Sequence, residues 1–420
     1  MPTLRPRWFS IIAPGILLAA TGVGAGDLLT ASLAGSEVGL SLLWAVLAGC
    51  VLKWTLSEGV ARWQLATGTT LLEGWIWRLG NWIQWVFIAY LGLFTLVVGG
   101  ALMSACGVAA SGFFLLGEPA TSKIIWGALH SLAGYVLVRY GSFRLFEWLM
   151  SAFIGIMFVT VILTAVLIQP DWTAVARGLI PSIPATGDAQ WLLAVMGGVG
   201  GTVTLLSYGY WIREKGRHGL GDVRICRLDL TAGYVVTALF GLAVMIIGSR
   251  VEITNQGATL ALDLAQQLGL ILGAPGRWLF LAGFWGAVFS SLLGVWQSLP
   301  YLFADFMNLR SRAAPGLRRE HDLGATKAYR GFLLAIATVP LIFLLSPVRQ
   351  IQLAFGIVGA LFLPLLALTL LILNNRRSWT GSGFLSRWPQ NFVLALSLVF
   401  FAWLGAQTIA EGFSALFTGG

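Results

Sequence analysis

The sequence predicts an all-α polytopic membrane protein with about eleven transmembrane helices. Three observations carry that expectation. The 420 residues are 57% hydrophobic and only 10% charged, where a soluble chain carries about 25% charged residues. The apolar residues fall in runs of the roughly 20 residues that cross a bilayer. Lys and Arg cluster beyond alternate ends of those runs. The composition excludes a cytosolic enzyme, a nucleic-acid-binding module and a disordered chain. The run length excludes a porin-like barrel, whose strands alternate over about ten residues.

Taken in order, the apolar windows are 9–36, 39–66, 81–113, 122–139, 143–169, 189–212, 228–249, 276–306, 328–345, 350–374 and 390–417. Between the seventh and eighth, the stretch Ala258–Leu272 has helical spacing around Asp263, Gln266 and Gln267, and reads as a short interfacial helix. Only MPTLRPRW precedes the first window, so no cleaved signal peptide is expected. Cys50, Cys106 and Cys226 have no metal-ligand spacing and imply no disulfide framework. With the N-terminus inside, 20 of the 26 Lys and Arg fall on the cytoplasmic side, 5 fall outside, and Lys53 stays within span 2. That bias predicts a cytoplasmic N-terminus and an extracytoplasmic C-terminus, and it explains the net charge of +9 without nucleic acid. Trp8, Trp82, Trp85, Trp126, Trp172 and Trp278, near span ends, read as interfacial anchors.

Spans 1 and 6 are interrupted at membrane depth. The first contains Gly22-Val23-Gly24-Ala25-Gly26-Asp27, and the sixth contains Gly197-Gly198-Val199-Gly200-Gly201-Thr202. Two Gly-interrupted spans, five helices apart, point to the binding site of an inverted-repeat transporter. Glycines that merely allow close helix packing are the plainer alternative. Other buried charges are less specific. Lys53 and Glu58 in span 2 read as a structural ion pair or as snorkelling side chains. Glu147 and Asp229 lie near cytoplasmic ends among arginines, and solvated faces are the expectation, with gate-closing salt bridges the alternative. His130 has no acid at i±4 and reads as a packing histidine.

The run from Pro14 to Glu73 resembles the Nramp (natural-resistance-associated macrophage protein) family of divalent-metal transporters. Its strongest piece is Ala61-Arg62-Trp63-Gln64-Leu65-Ala66-Thr67-Gly68-Thr69-Thr70-Leu71-Leu72-Glu73. Leu43-Trp44, the Gly-rich span 6 and Ser290-Ser291 are similar as well. The resemblance implies the LeuT-type fold: a first repeat over about 9–169, a second over about 189–374, and an extra helix over about 390–417, in one transporter domain with spans 1 and 6 broken at midplane. Three departures sit where the family's chemistry lies. Its Asp-Pro-Gly-Asn falls on Gly24-Ala25-Gly26-Asp27, its Met-Pro-His falls on Thr204-Leu205-Leu206, and span 3 carries none of the acids proposed to move protons.

The candidate binding set is therefore Gly24, Gly26, Asp27, Thr30, Gly201, Thr204, Ser207 and Tyr208, with Asp27 the one metal-ligating carboxylate. Asp27 could equally act as an N-cap where helix 1 resumes, and the hydroxyls could bond back to their own helices. An all-oxygen set suits hard cations. The expected function is a secondary-active or facilitative transporter of divalent cations, magnesium or manganese, hydrated or bare, working by alternating access without proton coupling. The alternative is a LeuT-fold carrier of a small organic or anionic solute. No enzyme activity, no cofactor and no nucleic-acid partner is expected; the ion is substrate, the bilayer is the environment, and the protein is expected to be a monomer in a plasma or inner membrane.

Overall fold

The computed structural model describes residues 26–141, 143–182, 189–250, 257, 259–310 and 323–418, which form helices joined by turns and short loops, with no strand among them. A π-helical turn, Gly26–Thr30, opens the described chain and continues into α1 (Ala31–Val38). Then come α2 (Leu43–Thr67), α3 (Asn81–Ser111), α4 (Pro119–Tyr140), α5 (Phe143–Leu167), α6 (Ala189–Gly198), α7 (Ser207–Glu214) and α8 (Val223–Gly248). The set is completed by α9 (Leu260–Arg310), α10 (Lys327–Thr338), α11 (Val348–Ala360), α12 (Phe362–Leu373) and α13 (Trp388–Thr418).

Eight helical segments are long and apolar enough to cross a membrane, and up to nine if the bent pair after span 5 counts as one. The eight correspond to spans 2, 3, 6, 7, 8, 9, 10 and 11 of the sequence. Span 1 begins outside the described residues, and α4 and α5 are helices of 22 and 25 residues that fall outside the eight. A helix is present over 260–272, where the interfacial one is expected. Gly273 (φ 70°) breaks α9 there, and Pro275 starts the spanning part. After α5 the chain bends by 118° into a short helix, Trp172–Gly178, capped by Asp171, whose Oδ1 accepts from the Thr173 and Ala174 amides.

Side-chain distribution is that of a protein solvated by lipid. Val159, Ile342 and Val399 are more than 60% exposed, while Lys53, Asp229 and Asp305 are fully buried. Between helices the contacts are made by small residues, since lipid gives apolar side chains no drive to associate and close approach must supply dispersion instead. A Cβ on Gly197 would lie 2.1 Å from the Gly356 carbonyl, and one on Gly356 would lie 2.5 Å from Ala194 Cα, so α6 and α11 touch backbone to backbone. The same holds for α1 and α8: a Cβ on Gly35 would meet the Met245 carbonyl, and one on Gly248 would meet the Ser32 carbonyl. Polar ties complete the frame. Tyr90 of α3 donates to the Val358 carbonyl (2.9 Å), Gln352 of α11 donates to the Ala101 carbonyl (2.9 Å), and Asn374 donates to the Gly59 carbonyl (2.9 Å).

The recognisable run after Arg62 is largely a structural device. Gly68 takes the left-handed conformation that ends α2, with its amide on the Gln64 carbonyl. Thr70 and Glu73 then form a reciprocal capping box that starts the next short helix, Leu71–Gly74.

Candidate functional site

Span 6 is broken where its glycines predict. α6 stops at Gly198; Gly200 and Gly201 have φ of 73° and 77°, which side chains with a Cβ rarely adopt. A 3-10 turn, Val203–Leu206, follows, and α7 resumes at Ser207. At this break the carbonyls of Gly197, Val199 and Gly201 converge on one atom, the Lys53 ammonium of α2. It donates to Gly197 O at 2.8 Å, to Gly201 O at 2.5 Å, and to Val199 O as well. The carbonyl end of a helix is the negative end of its dipole, so this is a position for positive charge. The Thr202 hydroxyl also donates to Gly197 O (3.1 Å).

The neighbouring half of the site comes from span 1. The π-turn at Gly26–Thr30 replaces ordinary α geometry at the expected interruption, and such wide turns often mark functional positions. Thr30 and Thr204 are 0% and 3% exposed, and neither hydroxyl has a hydrogen-bond partner among the described residues. Ser32, two residues beyond Thr30, is in the same state. A buried hydroxyl left unpaired costs about 1–3 kcal/mol.

The structure distributes the candidate residues as follows. Gly24 and the Asp27 side chain lie outside the described residues; Gly26 and the Asp27 backbone are in the π-turn. Gly201 offers its carbonyl to Lys53, Thr204 is buried with its hydroxyl unpaired, and Ser207 is the buried first residue of α7. The Tyr208 hydroxyl is engaged elsewhere, donating to Asp229 Oδ2 (2.9 Å) and to the Cys226 carbonyl (3.3 Å). Among the described residues no cluster of three or more His, Cys, Asp and Glu is placed to hold a metal.

Tyr208 belongs to a second polar region beyond the break. Asp229, expected on a solvated face, is instead fully buried and paired with Arg217 (3.0 Å). Burial alone would lower the Arg217 pKa, but the Asp229 carboxylate beside it outweighs that and holds it above its usual value. Tyr210 donates to Asp305 Oδ2 (2.6 Å) on α9. Glu58 pairs with Arg62 on its own helix and with Arg227 of α8 (2.8 Å), and not with Lys53 as the sequence suggested. The reason is geometric: positions 53 and 58 are five apart on a helix and leave from different faces, whereas 58 and 62 share one. Glu147's side chain is outside the described residues. His130 packs as expected, with Nδ1 on the Trp126 carbonyl and Nε2 accepting from Trp285 Nε1, both at 2.7 Å. Sequence reasoning passed over Asp305, although a carboxylate inside span 8 was visible, and underrated Lys53, whose lack of a same-face acid was the available signal.

The model of the family described as natural resistance-associated macrophage protein-like matches residues 15–411. The chain belongs to the Nramp family. Its Nramp relatives include the divalent metal cation transporter MntH of Chromohalobacter salexigens, 28% identical over 377 residues, which cover 80% of this chain and 84% of that one. The MntH of Bacillus subtilis is 24% identical over 375 residues, with the same shares covered. Among solved structures, a mutant of the manganese transporter of Eremococcus coleocola superposes with a TM-score of 0.75 at 17% identity, over all of this chain and 90% of that one. The fold is thus the all-helical LeuT-type fold of Nramp transporters.

Proposed function

We propose that the protein is a transporter that carries a divalent metal cation across the membrane by alternating access, with the ion seated between the π-turn of span 1 and the break of span 6. The observation that carries this reading is the break itself, where the backbone carbonyls of Gly197, Val199 and Gly201 converge on one cation; the buried hydroxyls of Thr30 and Thr204, without partners among the described residues, add oxygen to the two interrupted spans. All these atoms are oxygen, which suits hard ions such as magnesium and manganese. The family membership and the MntH relatives agree with a metal substrate. Asp27, at the π-turn, is the proposed carboxylate ligand, and Gly24, Gly26 and Ser207 are proposed to line the seat. The two interrupted spans are proposed to be equivalent positions of a five-plus-five repeat, the first over about 9–169 and the second over about 189–374, with the N-terminus cytoplasmic and the C-terminus outside.

A proton route is not part of the reading. Span 3 runs from Trp82 to Phe113 without an acid or base, and Leu206 stands where the family has histidine. A relay needs successive groups that take up and release protons. The ion's own gradient and the membrane potential then drive flux.

One observation favours the second reading, a carrier of a small organic or anionic solute: an ammonium already occupies the carbonyl cluster. Uptake assays separate the two. In proteoliposomes holding an internal pH dye at negative internal voltage, manganese or magnesium is expected to enter without acidification. Uptake of an organic solute with no flux of manganese, magnesium or calcium overturns the metal reading, and acidification in step with metal entry overturns the uncoupled mechanism.

A further inference from the structure

Lys53 is a cation built into the chain at the place where a transported cation is proposed to sit. It leaves α2, is fully buried, and its Nζ lies within hydrogen-bond reach of three carbonyls from one short segment, Gly197, Val199 and Gly201. An ammonium has three N–H donors, and the segment supplies three acceptors because Gly200 and Gly201 turn the backbone through positive φ. The packing of α2 on α6 serves this approach: a Cβ on Gly49, one turn before Lys53, would lie 3.3 Å from Met196 Cα, so the two helices are close enough for the lysine to reach past the end of α6.

We propose that the Lys53 ammonium is a surrogate cation, which satisfies the carbonyl cluster of the span 6 break in the unloaded carrier and is displaced from it when the substrate ion binds. The proposal rests on the metal reading above. Its physical basis is twofold. Broken backbone at membrane depth must have partners, and without the lysine an unloaded carrier would reorient with Gly197 O held by Thr202 alone and with the Val199 and Gly201 carbonyls deprived of their ammonium donor; the lysine removes that cost. A divalent ion and an ammonium cannot share one cluster of carbonyls at contact distance, because like charges a few ångströms apart in a buried site repel strongly. The lysine therefore sets a threshold: an ion is taken up only if it binds the oxygens well enough to expel an ammonium, which favours divalent over monovalent ions.

The test uses the purified full chain and manganese(II) alone as probe. Two measurements are made: manganese affinity by calorimetry for the wild type and Lys53→Met, which keeps the volume and removes the charge, and the reactivity of Lys53 toward reductive methylation with and without manganese, read by mass spectrometry. Lys123, a buried lysine that donates to the Ser346 carbonyl far along the chain, is the internal control. Lys53→Met is expected to bind manganese about tenfold more tightly or better, and Lys53 of the wild type is expected to gain reactivity with manganese while Lys123 does not. If the wild type fails to bind and Lys53→Met binds, the ammonium is a permanent occupant that no ion displaces, and both the surrogate role and the metal reading of the wild type fall. If the wild type binds manganese with Lys53 reactivity unchanged, and Lys53→Met binds with wild-type affinity or does not fold, Lys53 is only a structural pin and the proposal is overturned while the metal reading survives. Binding by neither protein, or by no folded one, overturns both.

Discussion

Asp27 carries the sharpest consequence at the scale of single residues. Its backbone lies in the π-turn that leads into α1, and its carboxylate is the proposed metal ligand, with a helix cap the alternative. Asn caps a helix about as well as Asp but brings no charge. Asp27→Asn is therefore expected to fold with an unchanged melting temperature and to lose most manganese or magnesium uptake; wild-type flux in this variant would reduce Asp27 to a cap. The residue scale is also where the sequence was least legible. Thr30 and Thr204 could be nominated as polar groups in interrupted spans, and both proved to be buried with unpaired hydroxyls. Tyr208 could be nominated on the same grounds, yet its ring reaches past the break to Asp229, because the direction of a side chain depends on a 3-10 turn that composition does not reveal. From the sequence alone Lys53 reads as half of an ion pair with Glu58 or as a snorkelling side chain. Its true acceptors are 144 to 148 positions away, and no local pattern encodes such a meeting.

Single helices are tied together by ion pairs of two kinds, and their magnitudes assign them different roles. Arg349 at the start of α11 meets Glu37 at the end of α1 at 2.7 Å, with the two side chains 42% and 38% exposed, and its guanidinium lies over the Trp191 ring of α6. An exposed pair of this kind contributes only about 0.2–1 kcal/mol, so this tie would yield at little cost if α1 and α11 separate in the proposed alternating access. The Asp229–Arg217 pair is 0% and 7% exposed, and removing one partner of a buried pair costs about 3–5 kcal/mol. That pair holds the α7–α8 connection as a fixed unit. Arg349→Gln is thus expected to melt within a few degrees of the wild type and to make a reporter Ser36→Cys, which leaves the native Glu37–Arg349 pair intact, react faster with thiol reagents than Ser36→Cys alone. Asp229→Ala is expected to melt far below the wild type in a detergent thermal-shift assay. The reverse ranking would mean that the exposed pair carries the stability. Element boundaries were easier to read than these ties. Gly68 and Thr70 announce a helix stop and start, Gly273 and Pro275 announce another, and the run Gly197–Gly201 announces the break. In each case a backbone conformation demands one residue type, which is why the sequence betrays it.

For the molecule as a whole, the fold was legible because the bilayer imposes lengths and polarities that a linear reading detects. Long apolar runs point to the all-helical membrane class, and the paired Gly-rich interruptions point to a transporter architecture. The charge network was not legible in the same way. Glu58, Arg62, Arg227, Asp229, Arg217 and Asp305 come from three helices and a loop, and only packing decides which carboxylate meets which guanidinium or hydroxyl. The central claim is that the meeting place of spans 1 and 6 is a seat for a divalent cation. The most direct measurement is an anomalous difference map from crystals of the full chain soaked in manganese(II). The account predicts one strong peak between the Gly26–Thr30 turn and the Gly197–Thr204 segment, with the Lys53 ammonium withdrawn from the carbonyls of Gly197, Val199 and Gly201. A map at saturating manganese with no peak there, and Lys53 still bonded to those three carbonyls, would contradict it.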